Sequence, residues 1–134
     1  MGCGVKLLVD THVVLWAQRH SARLSPAVRT VLADVSNEVL VSAVVPWELS
    51  IKERSGKLPE AAPLVAAWPA VVQALGATRL PIGDDHALAA GQLVWDHKDP
   101  FDRMLAAQAL MTGATLVSVD PAFDTLPSVT RLWS

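Results

Sequence analysis

A single cysteine, Cys3, is all the chain carries. One thiol excludes an internal disulfide and falls short of a zinc site. The reading it favours is a small terminal residue in a reducing, cytoplasmic setting, with secretion left open. No apolar run approaches the roughly 18 residues of a membrane span. The opening Met-Gly-Cys-Gly-Val-Lys has neither the apolar stretch nor the small-residue cleavage site of a signal peptide. Lys6 stands where a myristoylation pattern requires Ser or Thr. Basic excess is also missing: 11 Lys and Arg against 13 Asp and Glu give a net charge of −2. That is not the footprint of a stable nucleic-acid binder, although bound cations or a local basic cluster can offset the field for a brief encounter. There is no internal repeat, low-complexity tract or linker.

What is present suits one core. The chain has 134 residues, 51% of them hydrophobic and 18% charged, which predicts a single domain over 1–134. Short apolar runs rich in β-formers predict strands at 5–9, 38–43 and 115–119, a short one at 79–82 and an edge strand at 129–132. Helical signals fall between them. His12, Leu15 and Trp16 share helical spacing, and Ser25-Pro26 reads as a cap and first turn. Pro46 opens a helix that Ser55-Gly56 ends, and residues 61–74 read as a helix pair broken near Pro69. Asp84 caps a helix to about Val94. Asp99-Pro100 starts the most regular one, over 101–111, stopped by Gly113. Strands alternating with helices predict the α/β class: a central parallel sheet of about four or five strands, covered on both faces.

Against that pattern four acidic residues stand out: Asp10, Glu48, Asp102 and Asp120. Two close predicted strands and two open predicted helices, positions that meet at one edge of an open parallel sheet. Carboxylates gathered there repel one another unless a divalent cation sits between them. Each also has a plainer role. Asp10 suits a helix N-cap, with Thr11 placed to orient its carboxylate. Glu48, in a helix's first turn, suits the helix dipole, and Lys52 one turn on suits either an ion pair with it or a substrate phosphate. Asp99 reads mainly as a cap. Asp102 is then the third helical residue, where a capping box more usually has Glu or Gln, with Ala106 and Ala109 on its face allowing close approach to the sheet. Arg103 points elsewhere, toward a nearby acid or a phosphate. Asp120 before Pro121 suits a turn, and Ser118 shares its side of the strand. Asp124 reads as a loop acid. Lys57 and Arg54 are phosphate contacts or solvated surface. His12, His86 and His97 have no zinc spacing, and structural roles are expected.

The segments 7–16, 47–52 with 56–58, 97–109 and 116–120 together resemble the PIN-domain ribonucleases, and within them the VapC toxins of bacterial type II toxin–antitoxin pairs. Asp-Pro-Phe-Asp-Arg at 99–103, followed by Ala-Gln-Ala, carries the resemblance most specifically. It implies a PIN-like three-layer α/β/α sandwich with Asp10, Glu48, Asp102 and Asp120 as the acidic quartet. Ser118 falls at a hydroxyl position and Asp99 at a further acid. It implies an endoribonuclease using Mg2+, with Mn2+ as the other candidate, that hydrolyses RNA by a metal-activated water. It also implies a homodimer, a VapB-type antitoxin that neutralises growth inhibition, no membrane, and DNA only through the antitoxin complex.

The rival from another class is a catalytically inactive binding module that acts through a protein partner, its acids capping helices and its tryptophans serving as anchors or as core. A phosphotransfer fold fits less well, because His12 occupies the place of a second Asp. A P-loop fails at Leu58 and at Ile51.

Overall fold

A computed structural model describes residues 4–133, and Cys3 lies outside them. Five parallel strands form one sheet: β1 (Lys6–Val9), β2 (Glu38–Ser42), β3 (Thr78–Leu80), β4 (Thr115–Val117) and β5 (Arg131–Leu132), in the order β3-β2-β1-β4-β5. The centre is the most apolar part. Leu7, Leu8 and Val9 of β1 are fully buried, with Leu8 in register with Leu40 on one side and Leu116 on the other. Continuous apolar runs of this kind fit strands covered on both faces, whereas the short outer strands β3 and β5 are polar and partly solvated.

Among the described residues seven helices flank the sheet: α1 (Thr11–Gln18), α2 (Pro26–Ala33), α3 (Val44–Arg54), α4 (Ala62–Ala66), α5 (Trp68–Leu75), α6 (Asp84–Gln92) and α7 (Pro100–Thr112). Local signals start and stop them. Ser25 caps α2, and Gly113 ends α7 with φ +72°. Positive φ strains any side chain with a Cβ, so glycine is suited there. The expected break near Pro69 falls at Ala67, between α4 and α5.

Several boundaries differ from the sequence reading. α3 begins at Val44, whose N–H donates to the Ser42 hydroxyl at 3.0 Å, so Pro46 is its third residue instead of its opener. A proline there still costs no hydrogen bond, because the first-turn N–H groups have no helical acceptor. Glu48 consequently lies in the second turn, and the helix dipole does not account for it. Gly83, not Asp84, is the cap position of α6, and His86 Nδ1 accepts from the Gly83 N–H at 3.2 Å. β3 runs Thr78–Leu80 rather than to Ile82, and β4 stops at Val117, which leaves Ser118 and Asp120 just beyond the sheet.

The chain leaves β1 for β2 and β3 on one side, and returns with β4 and β5 on the other. The crevice of such a sheet opens beyond the carboxyl ends of the strands where direction reverses, here β1 and β4. Asp10 follows β1, and Ser118 and Asp120 follow β4.

Candidate metal centre

A cavity of about 420 Å³ lies at that switch point, with Asp10, Glu48, Asp99, Asp102 and Asp120 in its wall. The four acids of the expected quartet therefore converge, each delivered by a different element.

Asp10 does two jobs. Its carboxylate accepts the Val13 N–H at 2.9 Å and so caps α1, yet it lies only 8% exposed at the cavity. Burial, the largest influence, pushes its carboxyl up to about 6, and neighbouring Glu48 and Asp120 add to the rise. Hydrogen bonds from Ser118 and from Val13 pull the other way. Ser118 is fully buried, and its hydroxyl also accepts the Asp120 N–H at 3.1 Å. Ser118 and Asp120, expected on one side of the strand, are thus joined by a hydrogen bond. Asp120 in turn caps the 3-10 turn Pro121–Thr125 through the Ala122 N–H.

Glu48 is 6% exposed and doubly engaged. Thr11 donates its hydroxyl to one carboxylate oxygen, and Lys52 pairs with the other. Thr11 therefore orients Glu48, where Asp10 was the expected partner. Buried Val44, Val45 and Leu49 fix that face of α3, while the apolar Trp47 and Ile51 beside it are exposed.

Asp99 caps α7 as expected, accepting the N–H groups of Phe101 at 2.9 Å and Asp102 at 3.4 Å. Asp102 is the third residue of α7. The buried Ala106 and Ala109 follow on its face, and small side chains there bring α7 close to the sheet. Burial lifts the Asp102 carboxyl to about 6. A hydrogen bond from His97 opposes this, and Asp99 adds to it. His97 Nε2 lies 2.6 Å from Asp102 Oδ2, so the structural role expected of His97 is a contact with the site itself. No spacing rule marks it, because it precedes the helix in an irregular segment.

Arg103 is neither paired with an acid nor in the cavity wall. Its guanidinium donates to the carbonyls of Ala90, Gly91, Leu93, Trp95 and His97. It staples the α6–α7 connection to α7. Arg54 and Lys57 are exposed and away from the cavity, whose cationic lining is Lys52 and Arg23. Arg23 was not anticipated, since it lies in a loop and reaches the site only through the fold. His12 also lines the wall, and burial lowers its pKa. His86 keeps the structural role expected of it. Asp124, expected as a loop acid, pairs with Arg131 at 2.8 Å.

The donor set fits a divalent cation. It consists of carboxylate oxygens, the ligands hard divalent ions take. Burial raises Asp10 and Asp102, which is the unfavourable ionisation a cation relieves. Among the described residues, His97, Asp99 and Asp102 offer three ligand atoms within 4.8 Å of one another. Asp10, Glu48 and Asp120 complete the wall without joining that tight group.

The sequence profile of the PIN domain matches residues 7–128, and the chain belongs to the PIN domain family. It is 36% identical over 75 residues to Ribonuclease VapC16 of Mycobacterium tuberculosis, across 54% of this chain and 52% of that protein. The match thus spans about half the length of that relative. Among solved structures it resembles VapBC2 from Rickettsia felis bound to a promoter DNA fragment, with TM-score 0.63, 14% identity, 97% of this chain and 100% of that one. FitAcB from Neisseria gonorrhoeae gives TM-score 0.61 at 15% identity, over 95% of this chain and 96% of that one. A domain of a functionally unknown Methanocaldococcus jannaschii protein gives 0.62 at 16%, over 98% and 91%. At such identities the likeness is one of fold.

Proposed function

We propose that this chain is the toxin of a type II toxin–antitoxin pair, an endoribonuclease dependent on Mg2+ or Mn2+ that inhibits translation and growth until its antitoxin binds. The observation that carries the reading is the convergence of Asp10, Glu48, Asp102 and Asp120 on one cavity in a PIN-domain chain. Similarity to a ribonuclease, and to the fold of chains from the VapBC2 and FitAcB structures, supports it.

Asp10, Asp102, Asp120 and Glu48 would hold the cation. When bound, it supplies neutralisation of phosphate charge and a water of lowered pKa. The surrounding residues set the acids in place. The Ser118 hydroxyl accepts the Asp120 N–H, the Val13 N–H holds the Asp10 carboxylate, and Thr11 fixes the Glu48 carboxylate. Lys52 and Arg23 offer positive charge to the RNA backbone at the cavity wall. Hydrolysis on this plan leaves a 5′-phosphate and a 3′-hydroxyl.

The partners in this reading are an RNA substrate, a VapB-type antitoxin and a second copy of the chain. DNA is reached only through the antitoxin complex. No helix among the described residues is long and apolar enough to cross a membrane, and the cytoplasm is the proposed location.

The test is RNA cleavage by purified protein with and without EDTA, with the new ends mapped and Asp10→Asn and Asp102→Asn run in parallel. Metal-dependent cleavage lost in folded variants supports the reading; undiminished cleavage in EDTA overturns the metal mechanism. One observation favours the inactive binding module instead: Asp10, Asp99 and Asp120 all cap turns or helices, and Glu48 is already paired. Calorimetric titration with Mg2+ separates the two, since a module whose acids only cap gives no specific heat.

A further inference from the structure

The segment between α6 and α7 is held more firmly than a connection needs. Arg103 donates to three of its carbonyls, those of Leu93, Trp95 and His97, the last at 3.1 Å, and to those of Ala90 and Gly91 at the end of α6. The Trp95 ring packs against the His97 imidazole with centroids 4.8 Å apart, and Trp95 Nε1 donates to the Thr125 hydroxyl at 2.8 Å. These contacts fix where the imidazole goes. It goes to Asp102, in the only close group of three ligand atoms found among the described residues, whose third member is Asp99. The Asp99 carboxylate is oriented too, by the N–H groups of Phe101 and Asp102. Fixed ring, oriented carboxylate and shared focus are the arrangement a metal ligand set requires.

We propose that His97 is itself a ligand of the cation, together with Asp99 and Asp102. This rests on the reading of the cavity as a cation site and adds a nitrogen donor to an otherwise all-oxygen set. Mg2+ strongly prefers oxygen, whereas first-row transition ions accept imidazole readily. The site therefore discriminates in favour of Mn2+ over Mg2+. The same nitrogen lies 2.6 Å from Asp102 Oδ2. On binding it presents its lone pair, with the ring proton on Nδ1.

The probe is Mn2+ alone, added to the tag-free chain and read by pulsed electron paramagnetic resonance. Expected is a nuclear coupling to imidazole nitrogen that disappears in His97→Gln and persists in His12→Gln, whose histidine is the one in the cavity wall. In His97→Gln, Mn2+ affinity by calorimetry should fall at least about tenfold, with Mg2+ affinity falling less. The wild-type spectrum alone is informative should a variant fold poorly. Mn2+ bound without nitrogen coupling, or coupling lost in His12→Gln instead, overturns the assignment of His97 and leaves the carboxylate site standing. Absence of Mn2+ binding overturns both.

Discussion

The Lys52 ammonium closes onto Glu48 one helical turn earlier, so the buried carboxylate of α3 already has a counter-charge. Removing the lysine leaves that carboxylate, 6% exposed, with the Thr11 hydroxyl but no counter-charge. Lys52→Met should destabilise the cation-free protein by about 1–3 kcal/mol. Added Mn2+ should then raise the melting temperature more in the variant than in the wild type, because it takes over the lost charge. Thermal melts with and without MnCl2 check this, and an equal rise in both proteins would count against Glu48 as part of the cation site.

Asp10 gives the protein a definite pH dependence. Its carboxyl goes from 3.8 when free to about 6 in the fold, so between those values the folded state holds the extra proton. Stability therefore declines as pH rises from about 4 to about 6 and stays lower above, by on the order of 3 kcal/mol. Asp102 acts in the same direction, also through burial. Asp10→Asn should be more stable than wild type at neutral pH without metal, should flatten the dependence, and should lose RNA cleavage. Urea unfolding at about pH 5 and about pH 7.5 reads the slope. A variant with the wild-type slope contradicts the assignment.

Thr11 acts through Glu48. Thr11→Val removes the hydroxyl while keeping the shape, and should reduce cleavage about 10–100-fold by loosening the carboxylate. Thr11→Ser should restore most of it. Equal loss in both variants would show that the methyl packing of Thr11, not its hydroxyl, matters.

Arg103 has a structural task that lysine cannot share. One ammonium lacks the planar fork that reaches the carbonyls of residues 90–97. Both Arg103→Lys and Arg103→Ala should cost about 2–4 kcal/mol and speed amide exchange in residues 91–98. Exchange that stays slow in Arg103→Lys would refute the stapling role.

Much of this was legible in the sequence. Apolar runs with Asp at their ends located β1 and β4, and Asp99-Pro100 located the start of α7, because such signals are local. Convergence of the acids was legible through the alternation of strands and helices, which leaves few topologies. What escaped was non-local. The partners of Arg103 are carbonyls, which carry no residue signature. His97 meets Asp102 through an irregular segment without periodicity. The start of α3 at Val44 was hidden behind Pro46, since proline marks a first turn without saying which of its positions it occupies. Thr11 stands next to Asp10 in the chain, yet the helical turn after β1 sends its hydroxyl across to α3.

The strand order carries a consequence for how the molecule is born. β4 pairs directly with β1, made about a hundred residues before it, and the cavity's last wall comes from residues 118–121. A chain emerging from the ribosome can pair β1 with β2 and β3, yet it owns no finished acidic pocket until Asp120 and Pro121 have also been synthesised. Nascent and prematurely terminated chains are thereby denied the surface on which the proposed chemistry depends.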